Sequence, residues 1–269
     1  MVALLRRQLR SGFLSWKWGV VAVATVLILL LQYRTAFYMP WKLPQPNPNF
    51  FNYMLLFSYF GRGSTIYLVV LPFLAAFIGG SIYSDERLSG RLSLVLPRTP
   101  HGRVVRTSLL SGFILGGSAG STPLMVSLVI AVIHRPHMWF VEGVLNAYNY
   151  PLIDSRSWVY GLYRYNQILL LVLTVIYIFV LAGLMADVAV CVSFFTRMRY
   201  VEVLAPIVLT VAVWMGVGIF GVYGLCYINF LNFGVATRPP NELGAALTLP
   251  VLAAIVAMLY VRERAQDAL

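Results

Sequence analysis

Long uninterrupted apolar runs are the feature that most limits what this chain can fold into. Several of them approach or exceed the roughly 20 residues that a helix needs to cross a lipid bilayer. Of the 269 residues, 60% are hydrophobic and only 11% are charged. A soluble domain of this size needs far more polar surface, and the period-two alternation of an outer-membrane barrel is absent. The sequence therefore predicts an all-α polytopic membrane protein.

The apolar runs predict six membrane-spanning helices within a single transmembrane domain that covers residues 1–269. The predicted spans are residues 18–33, 63–83, 104–133, 166–195, 201–222 and 243–261. The third span is rich in glycine, alanine and serine between Gly112 and Ser121. Small residues of this kind let neighbouring helices approach closely, so we expect tight packing around the third span.

Residues 2–17 predict an N-terminal interfacial helix ahead of the first span. On a helical projection the apolar residues form one stripe with basic residues beside it: Val2, Leu5, Leu9, Phe13 and Trp16, flanked by Arg6, Arg10 and Lys17. This pattern is typical of a helix that lies in the headgroup layer of a membrane.

The distribution of basic residues predicts the orientation of the chain. The net charge of +11 would suggest nucleic acid binding in a soluble protein. Here the basic residues flank apolar spans instead, so no nucleic acid partner is expected. With six spans and both termini inside, thirteen basic residues are cytoplasmic: Arg6, Arg7, Arg10, Lys17, Arg87, Arg91, Arg98, Arg103, Arg106, Arg197, Arg199, Arg262 and Arg264. Seven are external: Arg34, Lys42, Arg62, Arg135, Arg156, Arg164 and Arg238. The positive-inside rule thus predicts a multi-pass protein of the cell (inner or cytoplasmic) membrane with both termini cytoplasmic.

Residues 84–106, between the second and third spans, form a short basic cytoplasmic segment. Its apolar residues share one helical face, at positions i, i+4, i+7 and i+8: Leu88, Leu92, Val95 and Leu96. Pro97 ends that helix, and Thr99 with Pro100 is a suitable N-cap and first turn for the third span. We expect a short helix that lies across the inner membrane face. On the sequence alone, an ordinary interfacial connector remains the alternative.

The same segment carries a motif that resembles the permease subunits of ABC-2-type ABC transporters. An acidic residue is followed by a glycine, a leucine-rich turn and a proline-containing stretch: Glu86, Gly90, Leu92, Leu94 and Leu96, then Pro97 to Arg103. The interfacial helix and the six spans fit the same family, so the resemblance covers the whole chain in topology and about twenty residues in motif. Two departures are Arg91, where the family often has threonine, and His101-Gly102-Arg103 in place of the usual serine and arginine.

The resemblance implies that this segment is a coupling helix that docks on a separate cytosolic ABC ATPase. The residues carried over by position are Glu86, Arg87, Leu88, Gly90, Arg91, Leu92, Val95 and Leu96. Among them, Glu86 would fix the point at which the chain enters the segment. Two ATPase subunits, which bind ATP and Mg²⁺, would drive a dimer with a second copy or a related permease. The expected function is export of an apolar or amphipathic substrate such as a drug, lipid or peptide. The alternative is a non-transporting membrane anchor or sensor with a regulatory cytoplasmic partner.

The chain itself is not expected to be an enzyme or to bind a cofactor. A phosphate-binding loop needs a glycine-rich turn followed by Gly-Lys-Ser/Thr, and neither Lys17 nor Lys42, the only lysines, has that context. No metal site is expected either, because the pair His134 and His137 has no cysteine or carboxylate close by in sequence.

Asp187 is the one carboxylate well inside an apolar run, and it is therefore a candidate intramembrane functional acid. Two interpretations remain open: pairing with an arginine at the inner boundary, or handling of a proton or substrate. A proton-coupled carrier needs titratable residues in several spans, so Asp187 alone does not favour one.

The external segments carry the remaining predictions for the chain. Their aromatic residues are expected to form an interfacial belt, with a substrate path as the alternative: Phe37, Tyr38, Trp41, Tyr148, Tyr150, Trp158, Tyr160, Tyr163 and Tyr165. Residues 223–242, by the resemblance, are expected to dip back towards the membrane as a short helical pair.

Overall fold

Helices form all the regular secondary structure in the part of the chain that the computed structural model describes. That part comprises residues 2–37, 50–57, 61–91, 100–134, 153, 157–196, 200–233 and 241–267. The helices are α1 (Val2–Phe13), α2 (Lys17–Phe37), α3 (Phe50–Tyr53), α4 (Gly63–Ala75), α5 (Ile82–Leu88), α6 (His101–His134), α7 (Tyr160–Tyr165), α8 (Gln167–Phe195), α9 (Val201–Ile219), α10 (Tyr227–Phe230) and α11 (Asn241–Asp267). A π-helix, Ala76–Gly80, joins α4 to α5, and a 3₁₀ turn, Tyr223–Leu225, precedes α10.

Six of these helical segments are long and apolar enough to cross a membrane, which confirms the predicted number. They cover Lys17–Thr35, Gly63–Gly80, His101–His134, Gln167–Phe195, Val201–Ile219 and Asn241–Glu263. Each end lies within three residues of the prediction, because span length and hydropathy are local properties of the sequence.

Helix α6 packs against α8 and the π-helix at backbone contact, as its small residues predict. A Cβ at Gly116 would overlap the Ala186 side chain, and one at Gly120 would overlap that of Ala182. A Cβ at Gly79 would lie 2.7 Å from the Gly116 amide nitrogen. Side chains larger than hydrogen at these glycines would therefore force the three elements apart.

The second span is an interrupted helix. Pro72 lies inside α4 and cannot donate a backbone hydrogen bond. The π-helix Ala76–Gly80 follows within one turn and ends at Ser81, where α5 begins. A π-helix widens the backbone locally, so the second span changes geometry at the end that leads into α5.

The bundle has two chemically different ends. Tyr163, Trp158 and Phe233 lie at the end that we call the aromatic end, together with residues 50–57 and α10. Both described chain termini lie at the opposite end, because Gln8 contacts Ser108 and Glu263 contacts His101 at the start of α6. We call this second end the polar end.

Part of the predicted aromatic belt is instead a protein core, which corrects the expectation of a belt or substrate path there. Tyr163 is buried, and its ring lies edge-on to Phe51 at 5.5 Å between centroids. Trp158 donates its indole hydrogen bond to the Phe230 carbonyl at 3.2 Å. Tyr165 alone among these is strongly exposed. Phe37 has no described side chain, and Tyr38, Trp41, Tyr148 and Tyr150 lie outside the described residues.

Residues 223–233 fold over the aromatic end as two short helical turns. Tyr227 is buried, donates to the Leu68 carbonyl at 3.1 Å and lies 3.2 Å from Thr210 Oγ1. The hydroxyl thereby connects this segment to the second and fifth spans. Two short helical turns are thus present in 223–230, while the dip towards the membrane stays a prediction and 234–240 lie outside the described residues.

Candidate functional site

The polar end is distinguished by carboxylates that each contact a basic or polar side chain. Four acidic side chains each contact a basic or polar side chain from another part of the chain: Asp85 with Lys17, Glu86 with Gln8, Glu202 with Ser84, and Glu263 with His101. Glu86, Glu202 and Glu263 are buried. Buried carboxylates are costly unless they are hydrogen-bonded, so these contacts specify how the helix ends meet.

Helix α5 is the centre of this network. Its consecutive residues Ser84, Asp85, Glu86 and Arg87 contact four different helices, namely α9, α2, α1 and α8. Successive residues on an α-helix point about 100° apart, so four in a row face all around the helix axis. The helix is therefore attached to four neighbouring helices by polar contacts.

Glu86 connects α5 to α1, and its partner Gln8 extends the connection to α6. Its Oε2 accepts a hydrogen bond from Gln8 Nε2 at 2.9 Å, and its Oε1 lies 3.7 Å from an Arg7 guanidinium nitrogen. Gln8 is wholly buried, donates also to Ser108 at 3.2 Å and accepts from Ser111 at 2.9 Å. One amide side chain thus joins three helices.

Arg87 is turned inward, although the resemblance implies contact with an ATPase. Its Nη1 donates to the Ser193 carbonyl at 3.1 Å, and its Nη2 donates to the Thr196 carbonyl. These carbonyls belong to the C-terminal end of α8, where a positive charge is favourable. The guanidinium also lies 6.0 Å from the Tyr83 ring centroid. Arg87 therefore fastens α5 to α8.

The remaining contacts of α5 involve the first and fifth spans. Lys17, which begins α2 and is buried, donates to both Ser81 and Asp85. Ser84 donates to Glu202 Oε1 at 2.6 Å. Glu202 lies in the first turn of α9, where the helix dipole favours a carboxylate.

Helix α5 ends earlier than the predicted coupling helix requires. It stops at Leu88, and Gly90 adopts a left-handed φ of 70°, a conformation that glycine adopts without strain. Leu88 and Arg91 therefore do not lie in one continuous helix, in contrast to the single helix that the spacing predicted. Leu88 is 53% exposed, and Arg91 is also exposed. Leu92, Val95 and Leu96 lie outside the described residues.

Comparison with protein-family models, curated proteins and solved structures found no match. Among the described residues, no group of three histidine, cysteine, aspartate or glutamate side chains is arranged to hold a metal ion. Any function of the polar end is therefore inferred from its own contacts.

Asp187 lies apart from this network, within the α6–α8 contact. It is buried, and its Oδ1 has no hydrogen-bond partner among the described residues. None of the ion pairs in that part of the chain involves it. The predicted pairing with an arginine is thus not seen there. Asp187 is eight residues from the end of α8, or about 12 Å along the helix.

Several residues of the network do not stand out in the sequence. The sequence around Gln8 predicts an amphipathic helix at a membrane surface. Glu202 is predicted only to mark the boundary of the fifth span, beside the basic turn 197–199. The available signal was chemical: Gln8 is an uncharged amide at the border of an apolar stripe. That signal does not identify Glu86 or Ser108 as the hydrogen-bond partners of Gln8.

Proposed function

We propose that this chain is the membrane-spanning permease subunit of an ATP-driven ABC-2-type exporter. The observation that carries the proposal is the attachment of Ser84, Asp85, Glu86 and Arg87 to four helices. These residues begin the segment 84–106, which resembles a coupling helix. A partner that moves this segment would move the ends of α1, α2, α8 and α9 together.

Such a rigid connection is what transmission of force requires. A segment joined to the bundle by one flexible loop would not transmit the closure of an ATPase, whereas polar contacts with four helices would transmit it to the bundle. The proposed motion is a semi-rigid displacement of the bundle, powered by two cytosolic ABC ATPase subunits that bind ATP and Mg²⁺.

The proposed docking surface begins where the internal contacts of α5 end. Leu88 and Arg91 are exposed on either side of Gly90. An apolar anchor beside an arginine is a common composition for the centre of a protein interface. By the resemblance, Leu92, Val95 and Leu96 would belong to the same docking surface, whereas Arg87 is assigned to the internal attachment.

The rest of the assembly follows from the resemblance. A second copy or a related permease would complete the transport path, and both termini would face the cytoplasm. The cargo would be apolar or amphipathic, because the six candidate spans are apolar and Asp187 is the one buried carboxylate well inside a described span.

The test is affinity purification of the full chain from membranes of its native host. We expect a co-purifying ATPase with a phosphate-binding loop, identified by peptide sequencing, and ATP hydrolysis in the eluate. Arg91→Glu and Leu92→Asp should each reduce the bound ATPase at least tenfold, since loss of an interface anchor costs about 2 kcal/mol.

The matched control is Arg62→Glu, which reverses an equally exposed charge at the aromatic end and should retain the ATPase. Failure of a well-folded wild-type chain to retain any ATPase would contradict the proposal and favour the anchor or sensor alternative. Equal loss with Arg62→Glu would show that the effect is not specific to the docking surface.

A further inference from the structure

A cavity of about 250 Å³ lies at the polar end between α1, the start of α2 and α5. Its wall contains two cationic and two anionic side chains together with hydroxyl groups: Lys17, Arg91, Asp85, Glu86, Ser15 and Ser89. The charges balance, so the cavity favours neither a simple anion nor a simple cation. It is smaller than the sites that enclose drug-sized molecules, which begin at roughly 300 Å³.

The hydrogen-bonding capacity of the wall is also divided between donors and acceptors. Ser15 Oγ accepts from the Lys17 amide, so its own hydrogen is available to a ligand. Ser89 Oγ donates to the Glu86 carbonyl, so its lone pairs are available instead. Lys17 Nζ donates to Ser81 Oγ and Asp85 Oδ2, and its third hydrogen and Asp85 Oδ1 remain for a ligand among the described contacts. With Arg91 as a second donor, the wall is complementary to a ligand that carries both charges.

Exposed apolar side chains lie beside this cavity. Ser15 is flanked by Leu14, 76% exposed, and Trp16, 70% exposed. The Trp16 ring packs edge-on against Phe77 of the second span, with 6.0 Å between centroids. A tryptophan beside a cavity lined by charged side chains at the end of a span is typical of the level where lipid headgroups meet acyl chains.

We propose that this cavity binds the headgroup of a phospholipid that carries both a phosphate and a primary ammonium. The phosphate lies against Lys17, Arg91 and the Ser15 hydroxyl. The ammonium donates to Asp85 and Ser89, and the acyl chains leave past Leu14 and Trp16. Phosphatidylethanolamine has this chemistry. A choline headgroup has no N–H to donate, and a glycerol headgroup brings no cation for Asp85 and Glu86.

Native mass spectrometry of the full chain tests this proposal without any ATPase. The chain is released from bilayers that contain equal amounts of phosphatidylethanolamine, phosphatidylcholine and phosphatidylglycerol with identical acyl chains. We expect one retained phosphatidylethanolamine, favoured roughly tenfold over either other lipid, which corresponds to the loss of one charge-assisted contact. Equal retention of all three lipids would overturn the proposal.

Two variants locate the lipid. Arg91→Gln removes a cation from the wall, and Ser89→Trp fills the cavity, and neither alters the Lys17–Asp85 pair. Both should lose the preference for phosphatidylethanolamine. Arg10→Gln removes an exposed charge from α1 outside the cavity and should keep it. Unchanged retention in Ser89→Trp, with a wild-type unfolding temperature, would overturn the assignment to this cavity.

A soluble headgroup separates a lipid from a free zwitterion. O-phosphoethanolamine at millimolar concentration should not displace the retained lipid, because it lacks the acyl chains that contact Leu14 and Trp16. Displacement at that concentration would show that the cavity recognises the free compound and would overturn the lipid assignment.

Discussion

Removal of the Gln8 amide should destabilise the whole polar end, because this one side chain joins three helices. The variant Gln8→Leu keeps a similar volume but loses the bonds to Glu86, Ser108 and Ser111. A hydrogen bond to a charged group contributes about 1.5–3 kcal/mol and a neutral one about 1 kcal/mol. The expected loss in the free energy of unfolding is therefore about 4 kcal/mol.

Thermal unfolding of the purified chain, followed by fluorescence or light scattering, measures this loss. At roughly 2–4 °C per kcal/mol for a chain of comparable size, the expected decrease in Tm is on the order of 10 °C. Gln32→Leu is the matched control, since Gln32 is equally buried near the aromatic end but accepts one amide hydrogen bond, from Ser64 at 3.1 Å. We expect its cost to be about 1 kcal/mol.

A double-mutant cycle shows whether the loss arises from the contact with Glu86. In a Glu86→Leu background the bond to the carboxylate is already absent, so Gln8→Leu should cost only about 2 kcal/mol there. The coupling energy is then about 2 kcal/mol, within the range for directly contacting polar groups. A Tm decrease below about 2 °C for Gln8→Leu, or a coupling energy near zero, would refute this account of the polar end.

Three further predictions concern the spans and the aromatic end. Gly116→Val should strongly lower the Tm, because its side chain would overlap Ala186, whereas Gly216→Val, which meets open space, should change it little; equal effects would contradict the packing argument. Asp187→Asn should leave the Tm unchanged or raise it, since the neutral amide is cheaper to bury than an unpaired carboxylate, and a decrease above about 5 °C would reveal a cationic partner. Trp158→Phe should lower the Tm by a few degrees through loss of about 1 kcal/mol of hydrogen bonding to Phe230, and an unchanged Tm would show that this bond contributes nothing.

The sequence predicted the six spans well because length and hydropathy are set by neighbouring residues. It did not predict the contacts of the polar end, because they join residues far apart in the chain. Gln8 and Glu86 are 78 positions apart, and Ser84 and Glu202 are 118 apart. No local periodicity specifies such pairs, so the sequence located the segment around Glu86 without the network that holds it.

The aromatic residues show a second limit of local interpretation. An aromatic side chain between two spans is compatible both with a lipid interface and with a protein core, and composition alone does not separate them. Tyr163 is buried by the packing of Phe51, which precedes it by more than a hundred residues. Tyr163 could be assigned to the interior only once the position of residues 50–57 was known.

Helices α4 and α5 are fixed to different parts of the bundle, and the π-helix that ends the second span lies between them. Tyr67 of α4 donates to the Gly120 carbonyl at 2.8 Å, midway along α6, while α5 is held by the polar network. Between these fixed points, Pro72 and residues 76–80 interrupt the regular helical hydrogen bonding. Helices bend most readily at such interruptions. In the proposed transporter, a displacement of α5 would therefore be absorbed at 76–80. That is also where Gly79 contacts α6 at its backbone, so a bend in the second span would be passed directly to the third.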